Sequence, residues 1–480
     1  MKRRERAIVI GGSMAGLLAA RVLSDHFEHV TILERDVYPE GCENRRGLPQ
    51  GHHLHALLAR GRKIIEQFFP GICDEMITAG AVLMETGEDL IWLTPHGWGK
   101  SFKSGVMILS FSRPFLDYHV RRRLAEIRNI EIITGAAVGE LRMTSAGDCV
   151  GGVAFHLIKD GEDRADSHEE FLAADLVVDA SGRSSRAPQW LTALGYKAPR
   201  ETVVNAFLGY ASRIYRRQPT KGSVAKGVFI QAAPPERTRM GIIFPIEDNR
   251  WIATLCGGDR DYPNADEDEY LDFARSLRSS LLYDSIKDCE SLSPIRTWRA
   301  TENRRRYYEE MRRLPGQFIL LGDSVCAFNP VYGQGMTVAA MGALELGKSL
   351  LKWKDSGFGT DFTRQFQKRL AKINCLPWAL ATGEDCRYRG TKGASRTLRA
   401  RLMQAYIDRV IALTTKDTKV RGIWLRVFQM LQPPSALFAP LVLLKVIREA
   451  LRRTDRPKRK PVSTGARLPV AVTSHDGPLE

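Results

Sequence analysis

Six residues near the start of the chain, Gly11-Gly12-Ser13-Met14-Ala15-Gly16, are spaced to hold a phosphate. A pyrophosphate needs close approach of the main chain and free N–H groups at a helix N-terminus, where the dipole favours negative charge. Glycines occupy the outer positions of a G-x-G-x-x-G pattern, and Ser13, small enough for the same approach, takes the middle one. Glu34 lies eighteen residues beyond Gly16 at the end of an apolar run, where a carboxylate can accept from ribose hydroxyls, and Arg35 follows it. A strand, a turn, a helix and an acid in this order point to a bound dinucleotide; the competing reading is a plain turn with a surface acid.

A second group of residues decides which dinucleotide. Phe318-Ile-Leu-Leu-Gly322-Asp323-Ser324 is followed by Ala327-Phe-Asn329-Pro330-Val-Tyr332-Gly333-Gln334-Gly335-Met336. A strand that delivers an aspartate to a ribityl chain, then a Gly-rich turn opening a helix, suits the parts of FAD that NAD lacks. That helix is predicted from about Gly335 to Leu350. Its N-terminus would aim partial positive charge at the N1–C2=O edge of a flavin, where negative charge collects on reduction. Gly333, Gln334, Gly335 and Met336 join the cofactor set on this reading, and Pro330 and Tyr332 become candidates for the reactive face.

Together with Asp179-Ala-Ser-Gly182-Arg183-Ser184, these segments resemble the three fingerprints of flavoprotein monooxygenases with the para-hydroxybenzoate hydroxylase fold, over about residues 5–345. Shorter stretches look closer to FAD-dependent epoxidases of the polyether type and their relatives: Arg46-Gly-Leu-Pro49-Gln50 with His53 and His55, Thr94-Pro-His-Gly97-Trp98, Ser112-Arg113-Pro-Phe-Leu116-Asp117 and Pro245-Ile-Glu-Asp-Asn-Arg250-Trp251. The resemblance implies that Arg46 and Arg113 contact the cofactor, while Glu34 and Asp323 hold its ribose and ribityl hydroxyls. It places Asp179 and Gly182 beside the cofactor as well. Ser13 departs from the family pattern, as does the run after Asp179, which reads D-A-S-G-R-S-S where the hydroxylases usually show a D-G pair.

Other constellations are weaker. Gln50-Gly51-His52-His53-Leu54-His55 would put His53 and His55 on one face of a strand, but no third ligand has suitable spacing, so a metal is set aside in favour of a role at the flavin edge or a helix start. Gln50 and His53 are therefore flavin-face candidates. No Ser-His-Asp order or paired carboxylates stand out, which agrees with an oxygen supplied by a flavin C4a-hydroperoxide. Catalytic side chains remain unassigned. A halogenase would need a lysine between flavin and substrate and a Trp-rich motif, whereas Trp251 stands alone.

These residues need elements to carry them. Ala7-Ile-Val-Ile10 and Val30-Thr-Ile-Leu33, with a helical pattern from Met14 to Leu23 between them, make a βαβ unit; Asp175–Asp179 and Phe318–Leu321 read as returning strands of the same sheet. Gly241–Pro245 and Trp251–Leu255 alternate like antiparallel strands of a second, inserted sheet. From about 335 the pattern is helical. The chain of 480 residues exceeds what one core can hold. We read it as α/β: a Rossmann-type FAD-binding domain (1–80, 113–195 and 296–386), an inserted antiparallel-sheet substrate domain (81–112 and 196–295), a basic helical C-terminal segment (387–460) and a disordered tail (461–480).

The formal charge of +16 belongs mostly to one place. Residues 1–386 carry 51 basic and 49 acidic side chains, whereas residues 387–460 carry 19 and 4. That segment is either a helical cap on the flavin domain or a cationic amphipathic surface for a membrane. Nucleic acid is set aside, since no basic, aromatic-interleaved platform appears. Eight scattered cysteines without C-x-x-C and no uncharged stretch of 18 apolar residues suggest a cytoplasmic protein, peripheral to the membrane at most.

The expected function is an FAD-dependent monooxygenase that inserts one atom of O2 into an apolar organic substrate, by epoxidation or hydroxylation. Reducing equivalents would come from NADPH or NADH, directly or through a flavin reductase, because no second nucleotide fingerprint is present. The alternatives are a flavin-dependent reductase acting on an isoprenoid-like double bond and a non-enzymatic FAD-stabilised membrane-surface protein.

Overall fold

The computed structural model describes residues 4–158, 168–218, 226–353, 357–394 and 397–454. The tail 461–480 lies outside them.

The first apolar run forms strand β1 (Arg4–Ile10), helix α1 (Met14–Leu23) follows, and strand β2 (Phe27–Glu34) returns parallel to β1. Strands β3 (Ile130–Thr134), β4 (Leu176–Asp179) and β5 (Phe318–Leu320) complete a parallel sheet in the order β5-β4-β1-β2-β3. Ala7 to Ile10 and Leu176 to Asp179 are all buried. This is why these strands read as unbroken apolar runs: in a parallel sheet both faces are covered. Helices α1 and α4 (Gly335–Trp353) pack on each other, and an antiparallel meander of Ala136–Met143, Val150–Leu157 and Glu169–Ala173 packs against β2 and β4.

The second sheet has seven strands in the order 296–298, 209–216, 250–257, 239–246, 227–230, 90–94, 97–98. All its pairs are antiparallel except 227–230 with 90–94. The period of two decides what each face does. Trp251, Ala253 and Leu255 point into a core closed by two short helices, α2 (Glu267–Arg275) and α3 (Leu281–Ile286), while Thr254 and Cys256 line a cavity. Strand 296–298 carries this sheet three residues beyond the boundary drawn from sequence.

Four helices end the described chain: α5 (Thr360–Asp385), α6 (Leu398–Thr414), α7 (Thr418–Phe428) and α8 (Pro440–Thr454). Helix α5 packs on α4 and β5. Helices α6 to α8 share a small core of Val410, Leu413, Val420, Val427, Leu437, Val442 and Val446. Helix α7 is fastened to the body by Arg421, whose guanidinium donates to the Lys100 carbonyl, and by Arg426, which donates to Ser104 O at 3.4 Å. Burial lowers the Arg421 pKa to about 10, with Glu85 opposing. No helix among the described residues is long and apolar enough to cross a membrane.

Candidate active site

A cavity of about 1070 Å³ runs from the first turn to the N-terminus of α4. At its phosphate end Gly11 has φ +96, and a Cβ there would lie 2.8 Å from the Ala180 carbonyl oxygen. Any side chain would be strained and obstructed, so the glycine is required. Gly16 does not face the cavity: its own Cβ would meet Gly11 O at 1.8 Å, so its smallness lets α1 close onto β1. Ser13 lines the cavity and its Oγ accepts from Arg113 Nη2 at 2.9 Å. Arg113 itself opens a helix, Arg113–Ala125, and is held by Asp117 at 3.0 Å. Helix geometry thus pins a buried cation beside the turn where a phosphate would sit.

Glu34 and Arg35 both line the cavity. Glu34 is buried and accepts from the Gly12 N–H at 2.6 Å. Its second partner is Arg45, 3.0 Å away, which also reaches Asp36 at 3.5 Å. Here the sequence expectation needs correction, because Arg46 is exposed and absent from the cavity wall while its neighbour Arg45 lines it. The chain turns after Arg45, with Gly47 N–H bonded to Asp36, and this directs consecutive arginines to opposite sides.

Asp323 lines the middle of the cavity, 3.8 Å from Arg183. Burial raises its pKa above the ordinary aspartate value, with Arg183 and Arg113 opposing. Gly182 lines the wall nearby, but Asp179 does not. Asp179 is wholly buried and accepts from Ser181 N–H at 2.9 Å, from Ser181 Oγ and Ser185 Oγ at 2.5 Å each, and from Ser324 Oγ at 3.3 Å. The D-A-S-G-R-S-S run is therefore a hydroxyl cage around a structural carboxylate that ties β4 to the turn carrying Asp323.

At the far end Gly333, with φ +62, Gly335 and Met336 lie on the wall. Gln334, expected from sequence among the cofactor residues, is absent from the wall: it is buried, and its Oε1 has no hydrogen-bond partner among the described residues. The Gly11 turn, the Arg113–Ser13 pair, Asp323 and the N-terminus of α4 together fit FAD along this cavity.

A smaller apolar cavity adjoins the first, and the two share Gln50, Leu54, His55, Ala56, Trp298, Pro330 and Gly333. Its walls come from the second sheet (Tyr210, Phe229, Ile242, Phe244), from Pro330 to Gly333, and from Leu425, Phe428 and Gln429 at the end of α7. All four flavin-face candidates, Pro330, Tyr332, Gln50 and His53, line it. His53 and His55 do not share a strand; they follow a single 3₁₀ turn, Pro49–His52. His53 Nδ1 bonds Ser212 Oγ at 2.8 Å, which continues to Thr254 Oγ1 at 2.7 Å. Burial pushes His53 down to about 3 and, with help from Arg113, His55 down to about 4, so both rings are neutral near pH 7. Among the described residues no lysine lines either cavity.

Behind the Pro330 turn is a network that sequence reasoning missed. The buried Asp385 carboxylate, at the end of α5, accepts from Tyr332 Oη at 2.5 Å, Asn303 Nδ2 at 2.6 Å and Asn329 Nδ2 at 3.4 Å. Tyr210 Oη donates to Asn329 Oδ1 at 2.5 Å and accepts from Val331 N–H at 2.8 Å. This locks the turn between the two cavities to both α5 and the second sheet. Burial raises the Asp385 pKa to about 7 against the pull of Tyr332 and Asn329. In sequence Asp385 is one acid at the end of a helix, with nothing to mark it.

Comparison with known proteins agrees with this geometry. Residues 158–355 match the sequence family described as FAD binding domain. Over 472 residues the chain is 31% identical to protein Rv3254 of Mycobacterium tuberculosis, covering 96% of this chain and 98% of that one. The chain belongs to the same family as protein Rv3254 and carries its FAD binding domain over residues 158–355. It is an FAD-dependent oxidoreductase enzyme with the fold of the para-hydroxybenzoate hydroxylase group. Among solved structures it resembles the flavin-dependent brominase Bmp2 (TM-score 0.63, 14% identity, covering 93% of this chain and 99% of that one). It also resembles p-nitrophenol 4-monooxygenase PnpA of Pseudomonas putida DLL-E4 (TM-score 0.60, 16% identity, 90% and 99% covered). At these identities the likeness is one of fold.

Proposed function

We propose that this flavoprotein monooxygenase inserts one oxygen atom from O2 into an apolar organic substrate, by epoxidation or hydroxylation, with the substrate held in the smaller cavity. The observation that carries the reading is the shared wall: seven residues border both the cofactor cavity and an apolar chamber. FAD, when bound, supplies the reduction of O2 and the electrophilic oxygen. The chain's own residues then position and exclude. Phe229, Phe244, Leu425 and Phe428 keep water from the chamber, and a dry site is what stops reduced oxygen from being wasted. The neutral His53, held by Ser212, leaves an uncharged polar edge that could orient one hydroxyl or carbonyl of an otherwise apolar substrate. Pro330 and Tyr332, held by the Asp385 network, fix the spacing between substrate and flavin.

NADPH or NADH is the proposed reductant, acting directly or through a flavin reductase. The similarity of Arg113 and Asp117 and of the Pro245–Trp251 stretch to polyether-type epoxidases favours an olefinic substrate.

The test is isotopic. Enzyme with reduced FAD is mixed with ¹⁸O₂ and a panel of apolar olefins and arenes, and product is analysed by mass. One ¹⁸O atom per product is expected. Product formed equally well without O2 would sink the oxygenase reading and favour a flavin-dependent reductase.

A further inference from the structure

Helix α8 has two apolar sides. Val442 and Val446 point into the small core shared with α6 and α7. Leu441, Leu444, Ile447 and Leu451 point the other way, with exposures of 42% to 63%. Their spacing of three, three and four residues places all four on one face, since neighbours on a helix surface are three and four apart. Leu444, Ile447 and Leu451 are three of the more exposed large apolar side chains among the described residues. Water-facing helices normally keep such a face polar, so this one is built to be covered.

The charge around the stripe selects what covers it. Arg448 is exposed and lies within the stripe. After Leu451 the sequence continues with Arg452, Arg453, Arg456, Lys458, Arg459 and Lys460 against the single acid Asp455. A second copy of the chain would bring an equally cationic surface against this one, and like charges repel. A surface that is apolar and negatively charged at once is complementary to it, and an anionic bilayer presents both. We infer that the outward face of α8 docks in the plane of an anionic membrane, with its leucines and isoleucine among the acyl chains and Arg448 at the headgroups.

This inference rests on α8 and on the basic run that follows it in the sequence, and stands apart from the substrate reading. It does bear on it, because α7, in the same packed unit, supplies Leu425, Phe428 and the Gln429 backstop to the apolar cavity. It also sharpens the choice left open by the sequence: α7 caps the body, and α8 turns outward.

The test uses the full chain, sedimented with vesicles of phosphatidylcholine and phosphatidylglycerol (1:1) or of phosphatidylcholine alone. Binding to the anionic vesicles is expected to exceed binding to the neutral ones by tenfold or more. The variant L444E/I447E/L451E, altered only on the outward face, is expected to lose it while keeping its Tm and its elution volume. A second variant, L444W, is expected to be quenched by brominated anionic lipid beyond the wild-type background, which decides the matter should the triple variant fail to fold. The inference is overturned by a wild type that sediments with neither vesicle, by a triple variant that still binds through its basic tail, by L444W quenching no greater than background, or by a wild-type dimer that the triple variant converts to monomer.

Discussion

Asp385→Ala should destabilise the protein more at low pH than at high pH, which is the reverse of the usual behaviour of a paired carboxylate. The carboxyl is buried, and its pKa rises from 3.8 to about 7. Between these values the folded chain binds a proton that the unfolded chain has released, so stability falls as pH rises through this window. The contribution is fully present below about 3.8 and gone above about 7. From the two pKa values, the wild type forfeits roughly 3 kcal/mol between pH 5 and pH 8.5. The alanine variant lacks that slope. At every pH it also leaves Tyr332, Asn303 and Asn329 without an acceptor, at about 1–3 kcal/mol for each donor that finds no water. Thermal midpoints of wild type and variant, measured in parallel at pH 5 and pH 8.5, cancel the other titrating groups. The expected result is a larger fall in Tm at pH 5 by several degrees. An equal fall at both pH values would show that Asp385 is ionised throughout and refute the reasoning.

Three further outcomes follow from the same geometry. Gly16→Val should lose bound FAD and fold poorly, because its side chain would drive Gly11 O out of place; a yellow, stable variant would contradict the packing. Asp323→Ala should weaken FAD tenfold or more, read by fluorescence titration of stripped protein, whereas unchanged affinity would remove Asp323 from the cofactor site. Leu425→Trp should fill the apolar cavity, leaving FAD content and Tm near normal and abolishing product formation on every substrate the wild type accepts; full activity would place the substrate elsewhere.

Much of the fold was legible because the parallel strands are buried on both faces and so spell themselves as apolar runs between glycines. Helix α1 begins and ends where the pattern says, and α4 overruns its predicted end by only one turn. The cofactor cavity was legible for a related reason: Gly11 answers a backbone demand that only glycine meets, and Gly333 takes a left-handed turn that favours glycine. What stayed hidden depends on contacts far apart in sequence. Arg45 and Arg46 differ only in the direction a turn sends them. Asp179 was expected beside the cofactor because its segment resembles a family fingerprint, yet the serines around it are its own donors. Asp385 meets Asn303 across 82 residues, and no local pattern records that.

The join between α7 and the first domain has a consequence for how the enzyme is made. Gln429 Oε1 accepts from the Ala59 N–H at 2.8 Å, and Gln429 O accepts from Arg60 N–H at 3.2 Å, a closure spanning 370 residues. On a ribosome the parallel sheet can assemble while this wall is still unsynthesised. The nascent chain therefore passes through a stage in which the apolar chamber stands open on one side, until the end of α7 emerges to seal it.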